Sequence, residues 1–147
     1  MPRTRLFHAS FEVRVMSVCV SVAVAACGGG GGVGADGGLV SFSNEVLPVF
    51  QAKCTGYCHP GSYSPMSLGS TLAHQNLVNA PSIGCTDGRL RVAPGEVGTQ
   101  ASYLMAKLRG VDLCGKSGPM PPAGGTPLTP QEIDLIGTWV SAGAPNN

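Results

Sequence analysis

The sequence predicts an all-α, loop-rich domain, and three observations carry that expectation. Thr129-Pro130-Gln131-Glu132 is a capping box with proline at the first helical position, followed by Ile133, Ile136 and Val140 at helical spacing. Ser43, Ser70 and Thr99 each stand as a cap before a further helical stretch. The segments between are rich in Gly and Pro and lack the apolar–polar alternation of strands.

Taken in order, the first helix is expected from about Asn44 to the Cys54 region, with Ser43 as N-cap and Phe42 and Leu47 placed as a hydrophobic staple. Pro48 still falls in its first turn or so, where a missing N–H costs little, and Val46, Val49 and Phe50 form its apolar face. A short second helix is expected from Thr71 to about Val78. The third runs from Gln100 to Arg109, buries Tyr103, Leu104 and Leu108, and stops at Gly110. The fourth is the capped helix, which Gly143 ends.

The chain has 147 residues, a formal charge of +1, 22 glycines and 12 prolines. Its Lys and Arg residues are scattered, so no basic surface exists to neutralise a row of phosphates, and nucleic acid is excluded as a partner. With few aromatic residues, a domain this small needs a staple beyond its side-chain core. The six cysteines, at positions 19, 27, 54, 58, 85 and 114, are where to look for it.

Residues 1–26 have the order of an export signal: Arg3, Arg5 and Arg14, then an apolar run from Val15 to Ala26. Twelve residues rise only about 18 Å as a helix, short of a membrane span. Val24-Ala25-Ala26-Cys27 resembles the bacterial lipobox, which makes Cys27 the lipidated residue, and the Gly-rich segment 27–40 a tether to a folded domain at 41–147. The expected location is the cell envelope, as a periplasmic or outer-membrane lipoprotein held to the membrane by its lipid.

Cys54-Thr55-Gly56-Tyr57-Cys58-His59 puts two thiols and an imidazole at the end of the first helix. Two thiols can add across the two vinyl groups of a haem, and a histidine directly after the second is then held under the iron. The spacing is C-x-x-x-C-H, one residue longer than the usual motif, and Gly56 offers the backbone freedom for a bulge. A zinc site is disfavoured, because adjacent Cys58 and His59 rarely point to one tetrahedral ion and no second ligand pair is at hand.

From Phe42 to the C-terminus the chain resembles a class I cytochrome c domain of the bacterial lipoprotein type. The residues that carry the resemblance are Val46-Leu47-Pro48-Val49-Phe50, the haem motif, Arg91-Val92-Ala93-Pro94-Gly95, Ser102-Tyr103-Leu104, Met120-Pro121-Pro122 and Trp139-Val140-Ser141-Ala142-Gly143-Ala144. The resemblance implies a cytochrome c-like fold with N- and C-terminal helices packed together, and one covalent haem c on Cys54 and Cys58. His59 and Met120 are then the axial ligands of the iron, and the function is electron transfer to a redox partner protein that docks at the haem edge, not enzymatic turnover. His74 is the rival sixth ligand, Met66 and Met105 read as core filler, and the Pro94 carbonyl is the expected acceptor for the second nitrogen of His59. Arg89 and Arg91 are either partners of a haem propionate or solvated loop charges.

With Cys19 in the signal, Cys27 lipidated and Cys54 and Cys58 on haem, Cys85 and Cys114 remain as a disulfide pair. Closing their 29-residue separation stabilises the domain by roughly 3 to 4 kcal/mol in the chain-entropy model. Two other classes of function stay open. One is a haem enzyme or ligand sensor, which requires Met120 to be absent from the iron or easily displaced, or a haem domain of a larger redox complex. The other is a haem-free binding or structural lipoprotein with Cys54 and Cys58 joined as a disulfide.

Overall fold

The computed structural model describes residues 38–56, 58–60 and 64–147. The export signal, Cys27 and the tether through residue 37 lie outside the described residues. Among those described, secondary structure consists of helices and isolated β-bridges with no extended strand, so the described residues are helical and loop-rich as the pattern predicts. No described helix is long and apolar enough to cross a membrane.

The chain enters the fold through a π-helical turn, Phe42–Val46, that runs directly into α1, Leu47–Lys53. The cap is Ser41, not Ser43. Ser41 Oγ accepts from the Asn44 N–H at 3.2 Å, and the Glu45 carboxylate accepts from the Ser41 N–H at 2.8 Å, a reciprocal cap stretched by the wider turn. Ser43 instead donates its N–H and its hydroxyl to the carbonyl of Asn147, at 2.8 and 2.6 Å, a pairing 104 residues away that no local pattern announces. Pro48 lies at the start of α1, where its missing donor is harmless.

Helix α2 is Ala73–Leu77, shorter than expected, because Ser70 Oγ accepts from the Leu72 N–H and shapes a preceding turn. Helix α3 is Tyr103–Arg109, ended by Gly110 at φ 69°. The expected first turn of that helix is absent. Ser102 is extended and fully buried, its hydroxyl accepting from the Ala93 N–H at 2.9 Å and donating to the Glu96 carbonyl at 2.6 Å. Helix α4, Pro130–Ser141, carries the complete capping box, with Thr129 and Glu132 bonding each other's backbone N–H.

One core joins these parts: Phe42, Val46 and Phe50 from the entry segment, Leu77 from α2, Met105 and Leu108 from α3, and Ile136, Trp139 and Val140 from α4. The N-terminal and C-terminal helical segments pack together there, with the Phe42 and Trp139 rings 5.2 Å apart. Trp139 is fully buried and its indole N–H donates to the Pro145 carbonyl at 2.9 Å, so its one polar atom is satisfied. A disulfide between Cys85 and Cys114, with Cα atoms 5.2 Å apart, ties the loop before Arg91 to the segment leading to Met120.

Candidate functional site

Helix α1 ends at Cys54, whose N–H donates to the Phe50 carbonyl at 2.8 Å. Gly56 follows at φ +77°, a left-handed conformation that a side chain disfavours, and Cys54, Cys58 and His59 line the same cavity. Both cysteines are free thiols.

A cavity of about 300 Å³ opens at this point. Cys54, Cys58, His59 and Met120 all line it. The wall between them is mainly apolar, with Phe50, Leu68, Leu77, Leu104 and Leu108 inside and Pro121 and Pro122 at the Met120 side. Three cations, Lys53, Arg91 and Lys107, also line it, Lys53 lying 3.9 Å from Glu132.

Met120 is held by α3. Its N–H donates to the Lys107 carbonyl at 2.9 Å, and the Lys107 ammonium donates to the Gly118 carbonyl at 2.8 Å, so one lysine grips the loop at two points. The disulfide side is braced through Tyr103. The Cys114 N–H donates to its phenol oxygen at 3.2 Å, and the phenol bonds the Ser117 hydroxyl.

His59 is 9% exposed, and its Nδ1 lies 3.3 Å from the Met66 carbonyl. A carbonyl only accepts, so Nδ1 carries the hydrogen and Nε2 keeps a lone pair for a metal. Burial lowers the imidazole pKa below the ordinary value. The Met66 bond opposes this, and the Lys107 and Arg91 charges add to the lowering, so the ring is neutral at neutral pH. The expected acceptor, Pro94, is not the partner. Its loop is committed elsewhere, with the Gly95 N–H donating to the Val140 carbonyl at 2.8 Å and the Ala93 N–H to Ser102. The Met66 loop also packs against the end of α1, where a Cβ on Gly69 would sit 2.6 Å from Thr55 Cγ2 and force that side chain to shift.

The other expected residues separate cleanly. His74 is away from the cavity, its Nε2 2.9 Å from the Ala144 carbonyl and its ring edge-on to Phe42 and Trp139. Arg89 is used up by Asp87 at 2.8 Å, by the carbonyls of Thr99 and Asp112, and by the Cys114 sulfur, and only Arg91 of the two arginines lines the cavity. Met105 is core, fully buried. Met66 packs partly against the core and also lines the cavity. Tyr103, read from the sequence as part of the buried side of the third helix, and Lys107, not singled out there, both line the cavity. The available signal was their spacing of one helical turn on α3.

Cys54 is the most perturbed thiol. Burial, then the neighbouring Cys58 and Glu132, pushes its pKa up to about 11. Among the described residues, the one group of three possible metal ligands is Cys85, Asp87 and Cys114, two of which are joined as the disulfide, and Cys54, Cys58 and His59 do not converge on a single ion. Chemically, the donor set suits a group bonded at two thiols and ligated by a neutral imidazole and a soft thioether.

Comparison with protein families, with curated proteins and with solved structures returns no match to this chain. The functional reading therefore rests on the residues of the site.

Proposed function

We propose that this protein is a monohaem c-type cytochrome of the cell envelope, lipid-anchored at Cys27, whose role is one-electron transfer with a redox partner protein. One observation carries the reading: Cys54, Cys58, His59 and Met120, picked from the sequence as thioether sites and axial ligands, line a single largely apolar cavity. The cytochrome c-like arrangement of the helices belongs to the same proposal, supported by the contact of Phe42 with Trp139.

When bound, the haem supplies iron that cycles between ferric and ferrous states. The protein's own contributions follow from the geometry. Cys54 and Cys58 anchor the group, the Met66 carbonyl orients His59, and Lys107 positions the loop that presents Met120. Phe50, Leu68, Leu77 and Leu108 exclude water from the cavity. Arg91 and Lys107 set positive charge beside it, suited to the carboxylates of a haem, with Lys107 in the part that the sequence reading offered to Arg89.

The test is mass spectrometry of the Cys54 to His59 peptide from protein co-expressed with haem-attachment machinery. The expected result is the mass of one haem on that peptide. A bare Cys54–Cys58 disulfide overturns the reading in favour of a haem-free binding module.

A further inference from the structure

Neither sulfur of the Cys85–Cys114 disulfide belongs to the cavity lining, yet one of them has a charged neighbour that a purely structural bridge does not need. An Arg89 guanidinium N–H is aimed at Cys114 Sγ. The Arg89 side chain is only 9% exposed and is fixed on its other sides. Its Nε donates to the Asp87 carboxylate at 2.8 Å, its Nη1 to the carbonyls of Thr99 and Asp112 at 2.8 and 2.7 Å, and its guanidinium carbon lies 5.2 Å from the centre of the Tyr103 ring. A disulfide sulfur is a weak acceptor and gains little from such a cation, whereas a thiolate in its place gains a charge-assisted bond. Arg89 also spans the two loops, since it follows Cys85 in sequence and holds the Asp112 carbonyl just before Cys114. The Cys114 N–H adds its bond to the Tyr103 phenol. These contacts hold the two cysteines near each other without the sulfur–sulfur bond. Gly84, Thr86, Gly115 and Lys116, the sequence neighbours of the two cysteines, are all exposed, which places the bridge at the surface.

We propose that Cys85–Cys114 is a reversible thiol–disulfide exchange site, opened by an external dithiol, with Cys114 as the departing sulfur and Arg89 as the group that receives its charge. One thiolate of the dithiol bonds to Cys85 Sγ as the bond to Cys114 breaks, and the electron pair of that bond stays on Cys114 as a thiolate beside Arg89. The second thiol of the dithiol, deprotonated, then attacks its partner sulfur and releases Cys85. The dithiol ends as its own disulfide, and two electrons and two protons have passed to Cys85 and Cys114. Opening leaves the segment that leads to Met120 held through Arg89, Tyr103 and Lys107, so that segment has a tied and an untied state. The exchange involves no residue of the haem reading and stands apart from it.

The experiment exposes the full chain to dithiothreitol at low ionic strength and quenches it at intervals with iodoacetamide. The Cys85 and Cys114 peptides are read by mass, so labelling of Cys54 and Cys58 does not enter. Wild type is expected to open while keeping its helical circular dichroism, and to recover the bond when oxidised dithiothreitol replaces the reduced form. Arg89→Gln should open about fivefold more slowly, because the departing thiolate loses its cation. Asp87→Asn, at an exposed position, should open faster than wild type, because the cation is no longer shared with a carboxylate. A merely structural Arg89 gives the opposite sign, since loosened loops expose the bond. An Arg89→Gln variant that opens as fast as wild type or faster overturns the proposal. So does an Asp87→Asn variant that opens no faster, a result that stands even if Arg89→Gln fails to fold, and so does a wild-type bond that opens only when the helical signal is lost.

Discussion

His59 Nδ1 is held at 3.3 Å by the main-chain carbonyl of Met66, so the first of the two cavity methionines acts through its backbone. A side-chain change there leaves the carbonyl in place. Met66→Leu should therefore keep the spectral signature of methionine ligation in the haem-loaded protein, whereas Met120→Leu should abolish it. Loss of the signature in Met66→Leu with its retention in Met120→Leu would reverse the assignment of the two sulfurs. His74→Gln should leave the spectrum unchanged, because that ring is bonded to Ala144 and faces Phe42 and Trp139 rather than the cavity.

The Cys85–Cys114 bond closes a separation of 29 residues between two loops with little regular structure. Replacing both cysteines by serine should lower unfolding free energy by about 3 to 4 kcal/mol, read from urea denaturation of each protein in the same haem state. An unchanged midpoint would mean that the Tyr103, Ser117 and Cys114 contacts alone hold the two loops together.

How far these features could be read in advance depends on the range of the interactions that make them. The α4 capping box and the Gly110 stop are local and appear where the pattern places them. Cys54, Cys58, His59 and Met120 were singled out by residue type and spacing, and the fold brings all four to the lining of one cavity. Ser43 was misassigned as a cap because its partner, Asn147, lies at the other end of the domain. The Met66 carbonyl was missed for a related reason: its contact with His59 is made by the main chain of a loop, which no side-chain pattern marks. Lys107 was hidden because a lysine on a short helix ordinarily reads as solvated surface, and only the fold shows its ammonium on the Gly118 carbonyl.

In reduced, haem-free protein the Cys54 thiol should be slow to alkylate. With its pKa pushed up to about 11, the nucleophilic thiolate is scarce at neutral pH. Iodoacetamide labelling of Cys54, followed by peptide mass, should keep rising by about tenfold per pH unit until about pH 11. The linked effect on stability has a definite sign. A folded-state pKa above the unfolded value means that the native state holds the proton more tightly, so this contribution is complete below pH 9.0 and is lost as pH rises toward about 11. Labelling that levels off near pH 9, or a Cys54→Ser variant with the same alkaline loss of stability, would contradict it.

Ser102 offers the sharpest test of how the cavity wall is supported from behind. It is fully buried, just before α3, and its hydroxyl bridges the Ala93 N–H and the Glu96 carbonyl. Those bonds hold the 91–96 loop against the helix that carries Tyr103, Lys107 and Leu108 into the cavity. In Ser102→Ala the volume is nearly conserved, but a donor and an acceptor lose their partner in a dry place, at a cost of about 1 to 3 kcal/mol. The loss should appear as a lower denaturation midpoint with an unchanged slope, since the fold stays equally compact. Loosening should reach the cavity through Arg91 and Leu104, whose N–H donates to the Arg91 carbonyl at 2.8 Å. Amide exchange should therefore quicken at Leu104 and Arg91 while the Trp139 region, tied to Phe42 on the far side of the core, keeps its protection. Equal acceleration everywhere would mean that Ser102 acts on global stability alone, with no special hold on the wall of the site.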